Sequence, residues 1–126
     1  MTSEAMKILI VEDEALLAMS YKMALHGGAC EVVGIARNAE EALRLTKEKQ
    51  PEVVLMDIKL QGQVDGIEVA REILRDLKIS VIYMTGNTDE ETKKRALGTH
   101  PMAYLEKPVD CEKLQQLLCT NKKPAL

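Results

Sequence analysis

The chain has no tryptophan and no phenylalanine among its 126 residues, and only three tyrosines. Its core must therefore be aliphatic, and the rows of stacked aromatics that hold single-stranded nucleic acid are not expected. Cysteine is scarce as well. Cys30, Cys111 and Cys119 form no C-x-x-C pair and are joined by only two histidines, His26 and His100, which leaves too few ligands for a zinc site or a disulfide framework. Apolar runs such as 8–11, 53–56 and 81–84 hold about four residues each, far short of the ~20 that cross a bilayer. The opening MTSEAMK has no apolar stretch of the secretory kind, so a cytoplasmic protein is expected. Seventeen basic against 20 acidic residues give a net charge of −3. Without a basic patch to displace counterions, direct nucleic-acid binding is not expected.

What is present is the balance of a globular protein, 46% hydrophobic and 29% charged residues. The length fits a single domain over 1–126 with its core at about 6–120. Short aliphatic runs alternate with amphipathic segments. Residues 6–11, 31–35, 53–56, 81–84 and 102–105 read as strands, separated by helices over 14–26, 38–49, 65–77 and 88–97 and followed by one from 110. Gly27 and Gly28 stop the first helix, Asn38 caps the second, Pro51 ends it, and Thr88 or Asp89 caps the fourth. The inward faces are Leu17, Tyr21, Ala24 and Leu25; Ala39, Ala42, Leu43 and Thr46; Ile67, Ala70, Leu74 and Leu77; and Leu114, Leu117 and Leu118. The fourth helix has a thin apolar face and predicts shallow packing, and its run Lys93-Lys94-Arg95 reads as a solvated surface. Strands alternating with helices imply βα units and a doubly wound parallel sheet, a three-layer α/β sandwich.

Such sheets bind ligands at the carboxyl ends of their strands, and here those ends carry the chemistry. The first strand runs into Glu12-Asp13, the third into Asp57, the fourth into Thr85 and the fifth into Lys107. Carboxylates ~4 Å apart repel by about 4 kcal/mol at an effective dielectric near 20. Lys107 and a hard divalent cation can offset that repulsion, and oxygen-only ligands without His or Cys favour Mg²⁺. Once neutralised, a carboxylate can attack an incoming phosphoryl group while Thr85 and Lys107 hold its oxygens. The shared-site reading requires Glu12, Asp13, Asp57 and Lys107 to surround one cavity, with carboxylates within about 10 Å, a Debye length at moderate salt.

The order acidic pair, Asp57, Thr85 and Lys107-Pro108, each after its own strand, resembles the receiver domain of two-component response regulators, of the single-domain, chemotaxis-regulator-like kind. The resemblance covers about residues 6–120 and implies a flavodoxin-like strand order of 2-1-3-4-5. It also implies that Asp57 accepts a phosphoryl group from the phosphohistidine of a sensor histidine kinase or a histidine phosphotransfer protein. Glu12, Asp13, Asp57 and the backbone carbonyl of Lys59 would hold Mg²⁺, and Thr85 and Lys107 would contact the phosphoryl oxygens. Tyr104 matches the switch aromatic, and Lys59 and Asn87 match the positions that set phosphate lifetime. The surface of the fourth helix, fifth strand and fifth helix would be the output face, for a downstream protein or a second copy, since no effector domain is expected after the fifth helix.

The chain departs from that pattern in three places. Glu12 stands where Asp is common, Leu60-Gln61-Gly62 replaces Met-Pro so that Asp65-Gly66 falls one residue late, and His100-Pro101 replaces Gly-Ala. Two other readings compete. A Mg²⁺-dependent aspartyl phosphohydrolase needs an acid two residues after Asp57, where Lys59 stands, and a phosphorylation-independent pseudo-receiver would ordinarily have lost some of the five groups. A nucleotide or flavin module lacks its phosphate loop, because the first strand turns through Glu12-Asp13-Glu14 rather than through glycines.

Overall fold

The computed structural model describes residues 5–27, 29–86 and 89–120, with Cys119 and Thr120 described by backbone alone. Gly28, Asn87, Thr88, the Cys119 thiol and both chain ends therefore lie outside the described residues. Five strands, β1 (Met6–Val11), β2 (Cys30–Ala36), β3 (Val53–Asp57), β4 (Ser80–Thr85) and β5 (Ala103–Glu106), alternate with α1 (Ala15–Leu25), α2 (Ala39–Lys49), α3 (Gly66–Asp76), α4 (Glu90–Leu97) and α5 (Cys111–Thr120). The sheet is parallel with order β2-β1-β3-β4-β5, as the resemblance implied.

Period-two alternation explains how one sheet serves two cores. Ile8, Ile10, Val53, Leu55, Ile82 and Met84 face α1 and α5, meeting Ala18, Tyr21, Leu25, Leu114 and Leu118. Leu9, Val11, Val54, Met56, Val81 and Tyr83 face the other way, toward Ala42, Ile67, Ala70, Ile73 and Ala96. Both faces of the central strands are thus dry, which is why their sequences run apolar without a break. A register shift between Ile8 and Leu9 leaves Val33 as an extra residue in β2.

The helix starts follow their caps. Asn38 accepts from the Glu41 amide at 2.9 Å, Asp89 from the Thr92 amide at 2.7 Å, and Asp65 forms a capping box with Glu68. Several expectations need correction. On α1, Ala18 is buried while Leu17 and Ala24 are half-buried, and on α5 Leu117 is half-buried. Val69 and Ile73 join the α3 core, whereas Leu74 and Leu77 lie at its margin. The third and fourth strands each run one residue further than expected, through Asp57 and Thr85, because those residues still pair with Met84 and Glu106 in the ladder. The fifth begins one residue later, at Ala103.

Among the described residues, two that are not glycine adopt left-handed backbone. Gln50 (φ 48°) caps α2 and His100 (φ 58°) lies beyond α4, each just before a proline. The Cβ of an L residue is crowded in that region, and glycine relieves the crowding at some expense in unfolded-state entropy. Gln50→Gly and His100→Gly are each expected to stabilise the fold by roughly 0.5 kcal/mol. Urea unfolding midpoints check this, and an unchanged midpoint in both variants would contradict it.

Candidate functional site

Strand order decides which chemistry meets. Because β3 lies between β1 and β4, Asp57 at its end emerges beside the residues that follow Val11 and beside Thr85. Ladder bonds fix these ends firmly. Glu12 N–H donates to the Ala36 carbonyl at 2.9 Å, Ile58 N–H to Met84 at 3.1 Å, and Lys107 N–H to Thr85 at 2.8 Å. The Lys107–Pro108 peptide is cis.

Lys107 Nζ donates to Glu12 Oε1 and to Asp57 Oδ2, both at 3.0 Å. Asp57 Oδ1 accepts from the Lys59 amide at 3.2 Å, and Glu12 Oε2 from the Glu14 amide at 3.2 Å. Carboxylate oxygens of Glu12, Asp13 and Asp57 all lie within 4.8 Å of one another, well inside the distance the shared-site reading demanded. Glu12, Asp57 and Thr85 are buried, and Asp13 is half-exposed. Asp13 therefore forms the solvent side of the cluster. Glu12 also shapes the turn into α1, its Oε2 accepting from the Glu14 amide.

One lysine serving two buried carboxylates leaves the electrostatics lopsided. Burial first and the Asp57 charge second push the Glu12 carboxyl up to about 7 from 4.5, against the opposing bond from Lys107. Burial alone would lower the Lys107 ammonium, but its two carboxylate partners outweigh that and raise it. The cation is fully compensated and Glu12 is not. Hard oxygen donors with a deficit of positive charge and one open side suit a divalent cation such as Mg²⁺.

That deficit has a measurable consequence in the metal-free protein. Folding raises this carboxyl above 4.5, so the folded state holds its proton more tightly than the unfolded chain does. The contribution to stability is complete below about pH 4.5 and is lost as pH rises through 7. In EDTA, Glu12→Gln is expected to remove about 2 kcal/mol of stability loss across that window. Parallel pH profiles of wild type and variant in urea would reveal a different cause.

The remaining expected groups are placed as follows. Tyr104, on β5, packs at the edge of the α2–α4 core; its Oη is buried without a hydrogen-bond partner among the described residues, and Lys93 Nζ sits 5.9 Å from its ring centroid. The Lys59 side chain is exposed while its amide holds Asp57. In the unusual loop, Leu60 is buried in the core and Gln61 bridges to Asn38, so the substitution anchors the segment. Sequence reasoning missed two neighbours. Gly66 packs directly on the Asp57 backbone, and Arg95, read as solvated, forms a two-point ion pair with Asp65 at 3.0 and 3.3 Å. An Asp-Gly pair at a helix start was the visible signal for the first; nothing local marked the second.

Comparison with known proteins agrees with this geometry. The family model described as the response regulator receiver domain matches residues 8–119. An uncharacterized response regulatory protein of Vibrio cholerae is 34% identical over 134 aligned positions, covering 99% of this chain and 51% of that protein. The transcriptional regulatory protein PdtaR of Mycobacterium tuberculosis is 35% identical over 102 residues, covering 81% of this chain and 49% of PdtaR. The chain thus spans about half the length of these relatives. The signal receiver domain of a modulated diguanylate cyclase from Desulfovibrio desulfuricans superposes with a TM-score of 0.84 at 33% identity, with 93% of each chain covered. No helix among the described residues is long and apolar enough to cross a membrane.

Proposed function

The chain belongs to the response regulator receiver domain family, and on that premise we propose that Asp57 accepts a phosphoryl group from the phosphohistidine of a sensor histidine kinase or a histidine phosphotransfer protein. The observation that carries this reading is the setting of the Asp57 carboxylate. Its Oδ1 is held by the Lys59 amide and its Oδ2 by Lys107, with Glu12 and Asp13 oxygens within 4.8 Å. A carboxylate oxygen of Asp57 attacks phosphorus, the P–N bond to the donor imidazole breaks, and its electron pair leaves with the nitrogen, giving an acyl phosphate. Lys107 neutralises charge on the phosphoryl oxygens, and Thr85, buried at the end of β4, supplies a hydroxyl to another of them.

Glu12, Asp13, Asp57 and the Lys59 backbone carbonyl are the residues that would hold Mg²⁺. The ion supplies positive charge that offsets the carboxylates and the incoming phosphate. The chain functions as a receiver in cytoplasmic two-component signalling, with residues of about 6–120 as the working unit. Tyr104 serves as the aromatic switch, its Oη buried without a hydrogen-bond partner among the described residues, and the face of α4, β5 and α5 meets a downstream protein or a second copy.

Intact-protein mass after incubation with acetyl phosphate tests the reading. Wild type with Mg²⁺ is expected to gain one phosphoryl group, and wild type with EDTA or Asp57→Asn none. A folded wild type that gains none and also fails to bind beryllofluoride would be a phosphorylation-independent pseudo-receiver instead.

A further inference from the structure

Outside the carboxylate cluster, the Asp65–Arg95 pair connects parts of the fold that sequence keeps far apart. Asp65 is rigidly mounted. Its Oδ1 accepts from the Glu68 amide at 3.0 Å, and its own amide donates to Glu68 Oε1 at 3.1 Å. The next residue, Gly66, lies on the Asp57 carbonyl and donates its amide to the Ile58 carbonyl at 2.7 Å. The Asp65 carboxylate is thereby fixed relative to the backbone of the phosphoacceptor. Arg95 reaches it from α4 with both terminal nitrogens, Nη1 to Oδ2 at 3.0 Å and Nη2 to Oδ1 at 3.3 Å.

The helix that carries Arg95 is lightly held. Ala96 is its buried residue, Leu97 is largely exposed, and Lys93 rests over the Tyr104 ring. Beyond its C-terminus, Thr99 Oγ1 bonds the Ala96 carbonyl and Tyr83 Oη, both at 2.7 Å. These attachments tie α4 to β4 and β5, whereas Arg95 ties it to the β3–α3 connection. We propose that the Asp65–Arg95 pair is a strap that couples the end of β3, and so the state of Asp57, to the position of α4. The proposal rests on the receiver reading above. The strap holds α4 in its resting seat, and any shift of the β3–α3 connection at Asp57 is transmitted to α4 through it.

Both side chains are about one-third exposed, so a two-point pair of this kind supports about a two- to fivefold bias in a local opening equilibrium. The test is amide hydrogen exchange by NMR on the metal-free protein. Arg95→Gln is expected to speed exchange two- to fivefold in α4, and also at Lys59 and Gly66, whose amides bond Asp57 and Ile58. Asp65→Asn keeps the capping oxygen and should reproduce the effect, with the double variant no faster than either single one. Acceleration confined to α4, no acceleration, or fully additive single effects would each overturn the strap. A second arm adds Mg²⁺ and beryllofluoride: the change in α4 exchange seen in wild type should shrink in Arg95→Gln, and an equal change would overturn it. If wild type does not bind beryllofluoride, the receiver reading fails while the metal-free exchange data still decide the strap.

Discussion

Gly66→Ala is expected to destabilise the fold by roughly 3 kcal/mol, lowering the melting temperature by about 10 °C for a domain of this size. A methyl group at this position would overlap the Asp57 carbonyl oxygen and come within 2.9 Å of Met56 Cγ. The obstacle is backbone in the centre of the sheet, which cannot rotate aside as a side chain would. Alanine's better helix propensity at the first position of α3 returns less than 1 kcal/mol. The helix must therefore move off the strand end, taking the Gly66–Ile58 hydrogen bond with it. Thermal and urea unfolding give the number, and a loss below about 0.5 kcal/mol would mean that α3 relaxes freely and that the close approach is not a constraint. Because the clash is with the backbone of Asp57 itself, phosphoryl uptake should fall as well.

Lys107→Met should show its effect through pH. The lysine is the cation bonded to both buried carboxylates, and removing one member of such a cluster strands charge in a dry setting. Glu12, already raised to about 7, can escape by taking a proton. Without Lys107 its folded value rises further above that of the unfolded chain, so the variant gains a proton on folding over a wider range of pH. The variant should thus lose about 2 kcal/mol more, relative to wild type, near pH 8 than near pH 5.5, where Glu12 is protonated and Asp57 alone is left without its cation. Urea unfolding in EDTA at the two pH values distinguishes this from packing. An equal loss at both would assign the effect to the Asp57 pair or to local packing and would contradict the role given to the Glu12 charge.

The fold was legible because its determinants are local and periodic. Continuous apolar stretches such as Val53 to Met56 carry the signature of strands covered on both faces, and Asn38, Asp65 and Asp89 announce helix starts with side chains that bond the next amides. Strand ends were less legible because hydrophobicity stops one residue before hydrogen bonding does. Asp57 and Thr85 are polar members of the ladder, tolerated because they stand at the carboxyl ends of adjacent strands, where the acidic cluster lies. The individual helix faces shifted by a residue, as Ala18 replaced Leu17 at the core, since helix orientation depends on neighbours as well as on periodicity.

The sequence by itself determined the alternation of strand and helix, the aliphatic core and the presence of acids, a hydroxyl and a lysine after successive strands. Each of these follows from short-range spacing and from the chemistry of single residues. Only the tertiary structure decided how those groups divide the work. Glu12 is the buried acid that shares Lys107 with Asp57, while Asp13 faces solvent; Gly66 must lack a side chain; and Arg95 leaves the solvated face to clasp Asp65. These outcomes depend on contacts between residues 9 to 95 positions apart, in separate elements of the fold. Such contacts are set by sheet order and by the few ångströms between packed backbones, neither of which leaves a periodic trace in the chain.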